Sequence, residues 1–123
     1  MSMTHRAYLI EPQLLFVPYL SQVLAHAGLA VVAAAGNVDE RELNDNQPAV
    51  VMVDVDYTER RELSLIREIR LAVPSASIFA YSDRDDDLFA ASCRIAGATA
   101  LISKNVDEGA FCEQVRRAVI VGA

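Results

Sequence analysis

The chain has 123 residues, of which 53% are hydrophobic and 23% are charged, and its formal net charge is −6. This length and composition are typical of one globular domain and exclude a largely disordered chain. The acidic balance argues against direct nucleic acid binding, because no basic stripe is available to neutralise phosphates. No apolar stretch approaches the roughly 18 residues of a membrane span. The polar start and two cysteines in apolar segments, Cys93 and Cys112, predict a cytoplasmic protein without membrane contact.

Five short apolar segments alternate with five segments of helical character. The first apolar segment, AYLI, stops at Glu11-Pro12, and the third, AVVMVD, stops at Asp54. The clearest helical pattern is ERRELSLIREIRLAV, where apolar positions 63, 66, 69 and 73 oppose a charged face. The predicted strands are residues 7–10, 29–35, 49–54, 77–81 and 99–103. Four predicted helices begin near residue 16 and at residues 59, 88 and 106. A fifth, short helix is predicted within residues 37–47.

Residues that start or stop helices sit at the expected boundaries. Pro18 is tolerated only in a first turn, so the first helix is predicted to begin near Phe16. Gly28 and Gly97 are typical helix stops. Asn105 and Glu108 have the spacing of a capping box, which predicts that the last helix runs from 106 to about 121.

Strands that are apolar on both faces and alternate with helices predict an α/β fold, with a parallel sheet covered by helices on both sides. For five such units the leading strand order is 2-1-3-4-5, a doubly wound flavodoxin-like arrangement. We expect one domain over residues 1–123, with its core at about 7–119 and no output domain in this chain.

Polar side chains follow four of the predicted strands. Glu11 follows strand 1, and Asp54, Ser82 and Lys104 end or follow strands 3, 4 and 5. In the predicted order these carboxyl ends lie on one rim, where ligands of such folds bind. Two carboxylates about 4 Å apart repel by roughly 4 kcal/mol at an effective dielectric constant near 20. A positive group is therefore expected among them, either a divalent cation or Lys104.

The segments LIEP, PAVVMVDVD, IFAYS and GATALISK occupy these strand ends. With these motifs the chain resembles the receiver domain of bacterial response regulators over about residues 7–119. The resemblance implies a phosphorelay protein of a two-component system, a signal-transduction phosphoprotein rather than an enzyme. Its partner would be a histidine kinase or a phosphotransfer protein.

The resemblance also implies a role for each residue of the rim. Asp54 would accept the phosphoryl group, from a partner or a small phosphodonor, and Ser82 and Lys104 would contact its oxygens. Glu11, Asp54 and the backbone carbonyl of Asp56 would hold Mg²⁺.

Several positions depart from the family pattern. Pro12 replaces the second acid after strand 1, so Mg²⁺ binding is expected to be weak. Asp83 stands where a small residue is usual, and Leu101 replaces the aromatic switch residue of strand 5. Asn105 and the pair Tyr57-Thr58 also differ from the common residues.

These departures leave a second function open, a receiver-like interaction module that works without phosphorylation. A flavodoxin-like cofactor enzyme is disfavoured, because EPQLLFVP is not a phosphate-binding loop. For either receiver function, the resemblance implies a possible homodimer through helix 4, strand 5 and helix 5, with Arg116 and Arg117 on that face.

Overall fold

The computed structural model describes residues 4–56 and 62–122. Strands and helices alternate along the chain as predicted, and a short 3₁₀ turn, Leu14–Phe16, precedes the first helix. The strands are β1 His5–Ile10, β2 Leu29–Ala35, β3 Val50–Asp54, β4 Ser77–Ser82 and β5 Ala100–Ser103. The helices are α1 Val17–His26, α2 Glu40–Asn46, α3 Glu62–Ala72, α4 Asp87–Ala96 and α5 Glu108–Gly122.

The five strands form one sheet in the order β2-β1-β3-β4-β5, and all neighbouring strands are parallel. This confirms the predicted fold class and strand order. The register keeps the carboxyl ends level, since Asp54 lies opposite Tyr81 and Ser82 lies opposite Ser103. The polar residues that follow the strands therefore meet at one edge.

Apolar side chains of the sheet alternate between two core layers. Val51 and Val53 of β3 pack with α2, α3 and α4 on one face. Val50 and Met52 pack with α1 and α5 on the other. A strand buried on both sides must be apolar throughout, which explains the unbroken run before Asp54. The buried thiols of Cys93 and Cys112 belong to opposite layers.

Most helix ends agree with the sequence signals. Pro18 lies in the first turn of α1. Gly28 and Gly97 follow α1 and α4 with φ angles of 90° and 124°, a backbone region that favours glycine. Phe16 ends the 3₁₀ turn just before α1 and is 52% exposed.

The predicted capping box at the start of α5 is wrong. The helix begins at Glu108, and Asp107 is the capping residue, because its Oδ1 accepts the Ala110 N–H at 2.8 Å. The Asn105 side chain instead donates from Nδ2 to the Asp83 carbonyl at 2.7 Å. Asn105 thus joins the loops that follow β4 and β5.

The two arginines assigned to one face of α5 both form an ion pair with Glu113, at 3.8 Å from Arg116 and 3.2 Å from Arg117, but their other contacts differ. Arg116 donates from Nη2 to the carbonyl of His26, at the end of α1. Arg117 lines a shallow groove beside β5 with Arg94 and Leu101. Of the two arginines, only Arg117 lines this groove.

The predicted start of α3 at residue 59 and the pair Tyr57-Thr58 lie outside the described residues. Within residues 4–56 and 62–122, every helix is too short or too polar to cross a membrane.

Candidate functional site

The four side chains that follow the predicted strands lie together at the carboxyl edge of the sheet. Asp54 ends β3 and Ser82 ends β4, and both are almost fully buried. Glu11 follows β1 with a 3% exposed side chain, and Lys104 follows β5. The sequence analysis therefore found four residues that share one site.

Lys104 is the positive group expected among the carboxylates. Its Nζ lies 2.8 Å from Oδ2 of Asp54 and 2.8 Å from Oδ2 of Asp56. Burial alone would lower the pKa of Lys104, but hydrogen bonds to these two carboxylates outweigh it and raise the pKa. Lys104 is therefore a permanent cation at neutral pH.

Glu11 is in a less favourable environment. Its Oε2 accepts the backbone N–H of Gln13 at 3.0 Å. Burial, assisted by the Asp54 charge, nevertheless raises the pKa of Glu11 to about 7. Near neutral pH the carboxyl of Glu11 is thus only partly ionised.

The side chain of Asp56 also lies in the site, a contact that the sequence analysis missed because it assigned a role only to the backbone carbonyl of Asp56. Its Oδ1 accepts the Ser82 hydroxyl at 2.5 Å, and its Oδ2 accepts the Asp83 N–H at 2.9 Å. Burial would raise the pKa of Asp56, but hydrogen bonds from Lys104, Ser82 and Asp83 outweigh it and lower the pKa. The available signal was a second acid two positions after Asp54, just beyond the end of β3.

An aromatic ring, that of Tyr81 in β4, also lies in the site. The Lys104 ammonium lies 4.7 Å from the centre of the Tyr81 ring, within range of a cation–π contact. Tyr81 in turn packs edge-on against Phe111 of α5, with ring centres 5.5 Å apart. Leu101 is half-buried and packs against the α2-α3-α4 layer.

The acidic side chains of the rim are suited to a hard cation but are few. Among the described residues, no group of three or more His, Cys, Asp or Glu side chains could hold a metal ion. Glu11 and Asp54 remain as neighbouring carboxylates, and Pro12 adds no ligand. Mg²⁺ is usually held by one or two carboxylates, water and phosphate oxygens, so this donor set fits Mg²⁺.

An open cavity of about 480 Å³ lies over these carboxylates. Its polar lining residues are Glu11, Gln13, Asp54, Asp83 and Lys104, and its other lining residues are Phe16, Tyr19, Leu20 and Tyr81. Exposed apolar side chains continue outward from it, including Leu15 at 94% exposure. Asp54 therefore lines a cavity whose wall includes the aromatic rings of Phe16, Tyr19 and Tyr81.

The fold is shared with solved structures of several bacterial proteins. A two-component response regulator of the LuxR family from Aurantimonas sp. SI85-9A1 is 22% identical, with a TM-score of 0.82 over 97% of this chain and 86% of its own. A putative pilus assembly-related protein from Burkholderia pseudomallei is 14% identical, with a TM-score of 0.80 over 100% and 95%.

A third similar structure is the CheX–CheY complex with BeF₃ and Mg²⁺ from Borrelia burgdorferi. The matching chain is 15% identical, with a TM-score of 0.75 over 95% of this chain and 90% of its own. No protein-family model and no curated protein matches the sequence. The chain therefore has the fold of the response regulator receiver domain.

Proposed function

We propose that this chain is a phosphorelay receiver whose Asp54 carboxylate accepts a phosphoryl group. The observation that carries this proposal is the Lys104 ammonium, 2.8 Å from Asp54 at the floor of an open cavity. A fixed cation beside the attacked phosphorus stabilises the charge on the phosphoryl oxygens during transfer. The signalling role of the fold's neighbours agrees with this proposal.

The transfer forms one bond and breaks one bond. A carboxylate oxygen of Asp54 donates an electron pair to phosphorus, and the bond from phosphorus to the donor's leaving group breaks with its electron pair. With acetyl phosphate the leaving group is acetate, and with a phosphohistidine partner it is the imidazole. The chain becomes an acyl phosphate and acts as a signalling module rather than as an enzyme.

Mg²⁺ would be held by Glu11, Asp54 and the backbone carbonyl of Asp56, and would neutralise charge on the phosphoryl oxygens. The CheY structure contains Mg²⁺, and we extend that requirement to this chain. Binding is expected to be weak, because Pro12 supplies no carboxylate. The high pKa of Glu11 adds a further cost, since a proton must leave before a metal binds.

The partner proposed for the cavity is a cytoplasmic histidine kinase or a phosphotransfer protein. The chemistry requires a phosphorylated imidazole that can enter beside Phe16 and Tyr19. The groove of Arg94, Leu101 and Arg117 is a separate surface, which we propose for self-association.

Intact-protein mass spectrometry after treatment with acetyl phosphate tests the phosphoacceptor. We expect wild type to gain the mass of one phosphoryl group at millimolar Mg²⁺, and to gain much less without Mg²⁺. The Asp54→Asn variant should gain none. The Asp85→Asn variant removes an exposed acid of the loop after β4 and should react like wild type.

Labelling that survives in Asp54→Asn would show that another residue is the acceptor. A wild-type chain that gains no mass, even at high Mg²⁺, would contradict the proposal and favour the second candidate.

The second candidate is an interaction module that signals without phosphorylation. Two observations favour it: Asp56 already engages Ser82 and Lys104, and the fold is shared with a putative pilus assembly-related protein. Under this function, substitution of Asp54 would leave partner binding unchanged.

A further inference from the structure

Three hydrogen-bond donors converge on the carboxylate of Asp56. They are the hydroxyl of Ser82 at 2.5 Å, the backbone N–H of Asp83 at 2.9 Å and the ammonium of Lys104 at 2.8 Å. The donors come from the end of β4, the loop after it and the residue after β5. Both oxygens of the Asp56 side chain are therefore bound.

A hydroxyl, a backbone N–H and an ammonium together form the donor set of an anion site. Ser82 is fully buried and Lys104 is largely buried, so these donors are held in place rather than exposed to solvent. The Asp56 carboxylate is the anion that fills this site.

We infer that Asp56 is an internal occupant of an anion site that an external phosphate group enters only after the Asp56 side chain has swung out. This inference rests on the proposed function in one respect, since Ser82 and Lys104 are the groups proposed to hold the phosphoryl oxygens. A phosphate and the Asp56 carboxylate cannot share these donors, because like charges at such a distance repel strongly. Asp56 therefore acts as a built-in competitor of phosphate.

A purely structural role for Asp56 would have a different consequence. If its hydrogen bonds only tied the ends of β3, β4 and β5 together, its removal would lower stability and create no new binding. The test must therefore measure anion binding as well as folding.

The probe is inorganic phosphate, added to Asp54→Asn protein so that no acyl phosphate forms at the acceptor. Binding is measured from amide NMR shifts at Ser82, Asp83 and Lys104, with thermal unfolding as the measure of folding. We expect the double variant Asp54→Asn/Asp56→Ala to bind phosphate at least tenfold more tightly than Asp54→Asn. Adding Ser82→Ala should remove most of that gain, because one donor of the site is lost.

A folded double variant that binds phosphate no more tightly than Asp54→Asn overturns the inference. If the alanine variant does not fold, Asp56→Asn in the same background replaces it. This amide keeps the shape but loses the charge, and a several-fold gain is expected. An unchanged affinity in the folded asparagine variant overturns the inference equally.

Phosphorylation by acetyl phosphate separates this inference from the proposed function. With Asp54 present, Asp56→Ala should be labelled several-fold faster than wild type. If neither protein is labelled while the phosphate titrations give the expected gain, only the proposed function fails. If both are labelled at equal rates and the titrations show no gain, only the inference fails.

Discussion

The pKa values of Glu11 and Asp56 shift in opposite directions, although both carboxyls lie at the same acidic edge of the sheet. Asp56 receives three hydrogen bonds and has a lowered pKa, whereas burial beside Asp54 raises the pKa of Glu11 to about 7. The lowered pKa of Asp56 stabilises the folded chain at pH values above the pKa that Asp56 has in the unfolded chain. This stabilisation is lost as the pH falls through the pKa of Asp56 in the folded chain. The raised pKa of Glu11 has the reverse effect, since the folded chain retains a proton that the unfolded chain releases.

The free energy of unfolding should therefore fall as the pH rises from about 4.5 to about 7 because of Glu11. We expect Glu11→Gln to remove most of this slope and to be more stable than wild type at pH 8 by about 1 to 3 kcal/mol. Urea denaturation at several pH values measures this. The Asp85→Asn variant removes a charge from an exposed loop and should retain the wild-type slope. Equal slopes in wild type and Glu11→Gln would contradict the expectation.

The residues of the site could be predicted from the sequence because parallel strands end at one edge. Asp54, Ser82 and Lys104 each end or follow an apolar strand, so strand order alone brings them together. The engagement of Asp56 with Ser82 could not be predicted in this way, because it depends on a side-chain rotamer and on the path of the loop after β4. Tyr81 was missed for a similar reason, since its contact with Lys104 crosses between strands.

At the scale of elements, one side chain joins the ends of two helices and a strand. Arg70 of α3 donates to the carbonyl of Gly97 from Nε at 3.1 Å and from Nη2 at 2.7 Å. Its Nη1 donates to the carbonyls of Pro74 and Ala76, just before β4. Gly97 also needs its small size here, because a Cβ would lie 3.1 Å from the Arg70 side chain.

We expect Arg70→Met to lower the free energy of unfolding by about 2 to 3 kcal/mol, because three carbonyls lose a charged donor. Arg70→Lys should recover less than half of this loss, since an ammonium cannot copy the planar fork of the guanidinium. Arg67→Met changes an exposed arginine of the same helix and should cost under about 0.5 kcal/mol. Denaturation of the three variants checks this, and an equal effect at positions 67 and 70 would contradict it.

The positions of the helices could be predicted from the spacing of apolar residues, but some helix ends could not. The start of α5 was misplaced because Asn105 and Asp107 are both good capping residues. The side chain of Asn105 instead donates a hydrogen bond to the Asp83 carbonyl in the loop after β4, and Asp107 caps the helix. The role of Arg70 was not predicted, because sequence spacing does not show which helix ends meet in space.

On the scale of the whole molecule, the chain combines a net charge of −6 with a groove that contains two arginines. Arg94 and Arg117 line one groove beside Leu101, while Arg116 is held at the carbonyl of His26. Arg117 already forms an ion pair with Glu113, and Arg94 adds a second positive charge that can attract acidic residues of a second copy of this acidic chain. This favours the α4-β5-α5 surface for self-association.

Sedimentation velocity tests this surface. We expect wild type to self-associate, Arg117→Glu to be monomeric, and Arg116→Glu to associate like wild type. Asp54→Ala should also associate normally, because the groove of Arg94, Leu101 and Arg117 is separate from the cavity over Asp54. A monomeric wild type, or an effect of Arg116→Glu equal to that of Arg117→Glu, would contradict the expectation.

The placement of the two cysteines gives each layer of the molecule its own chemical reporter. Cys93 is buried beneath the α2-α3-α4 layer and Cys112 beneath the α1-α5 layer, and the chain has no other thiol. A thiol reagent reaches each sulphur only when the layer above it opens. The two labelling rates, resolved by peptide mapping, therefore report the local opening of the two layers separately in the unmodified chain.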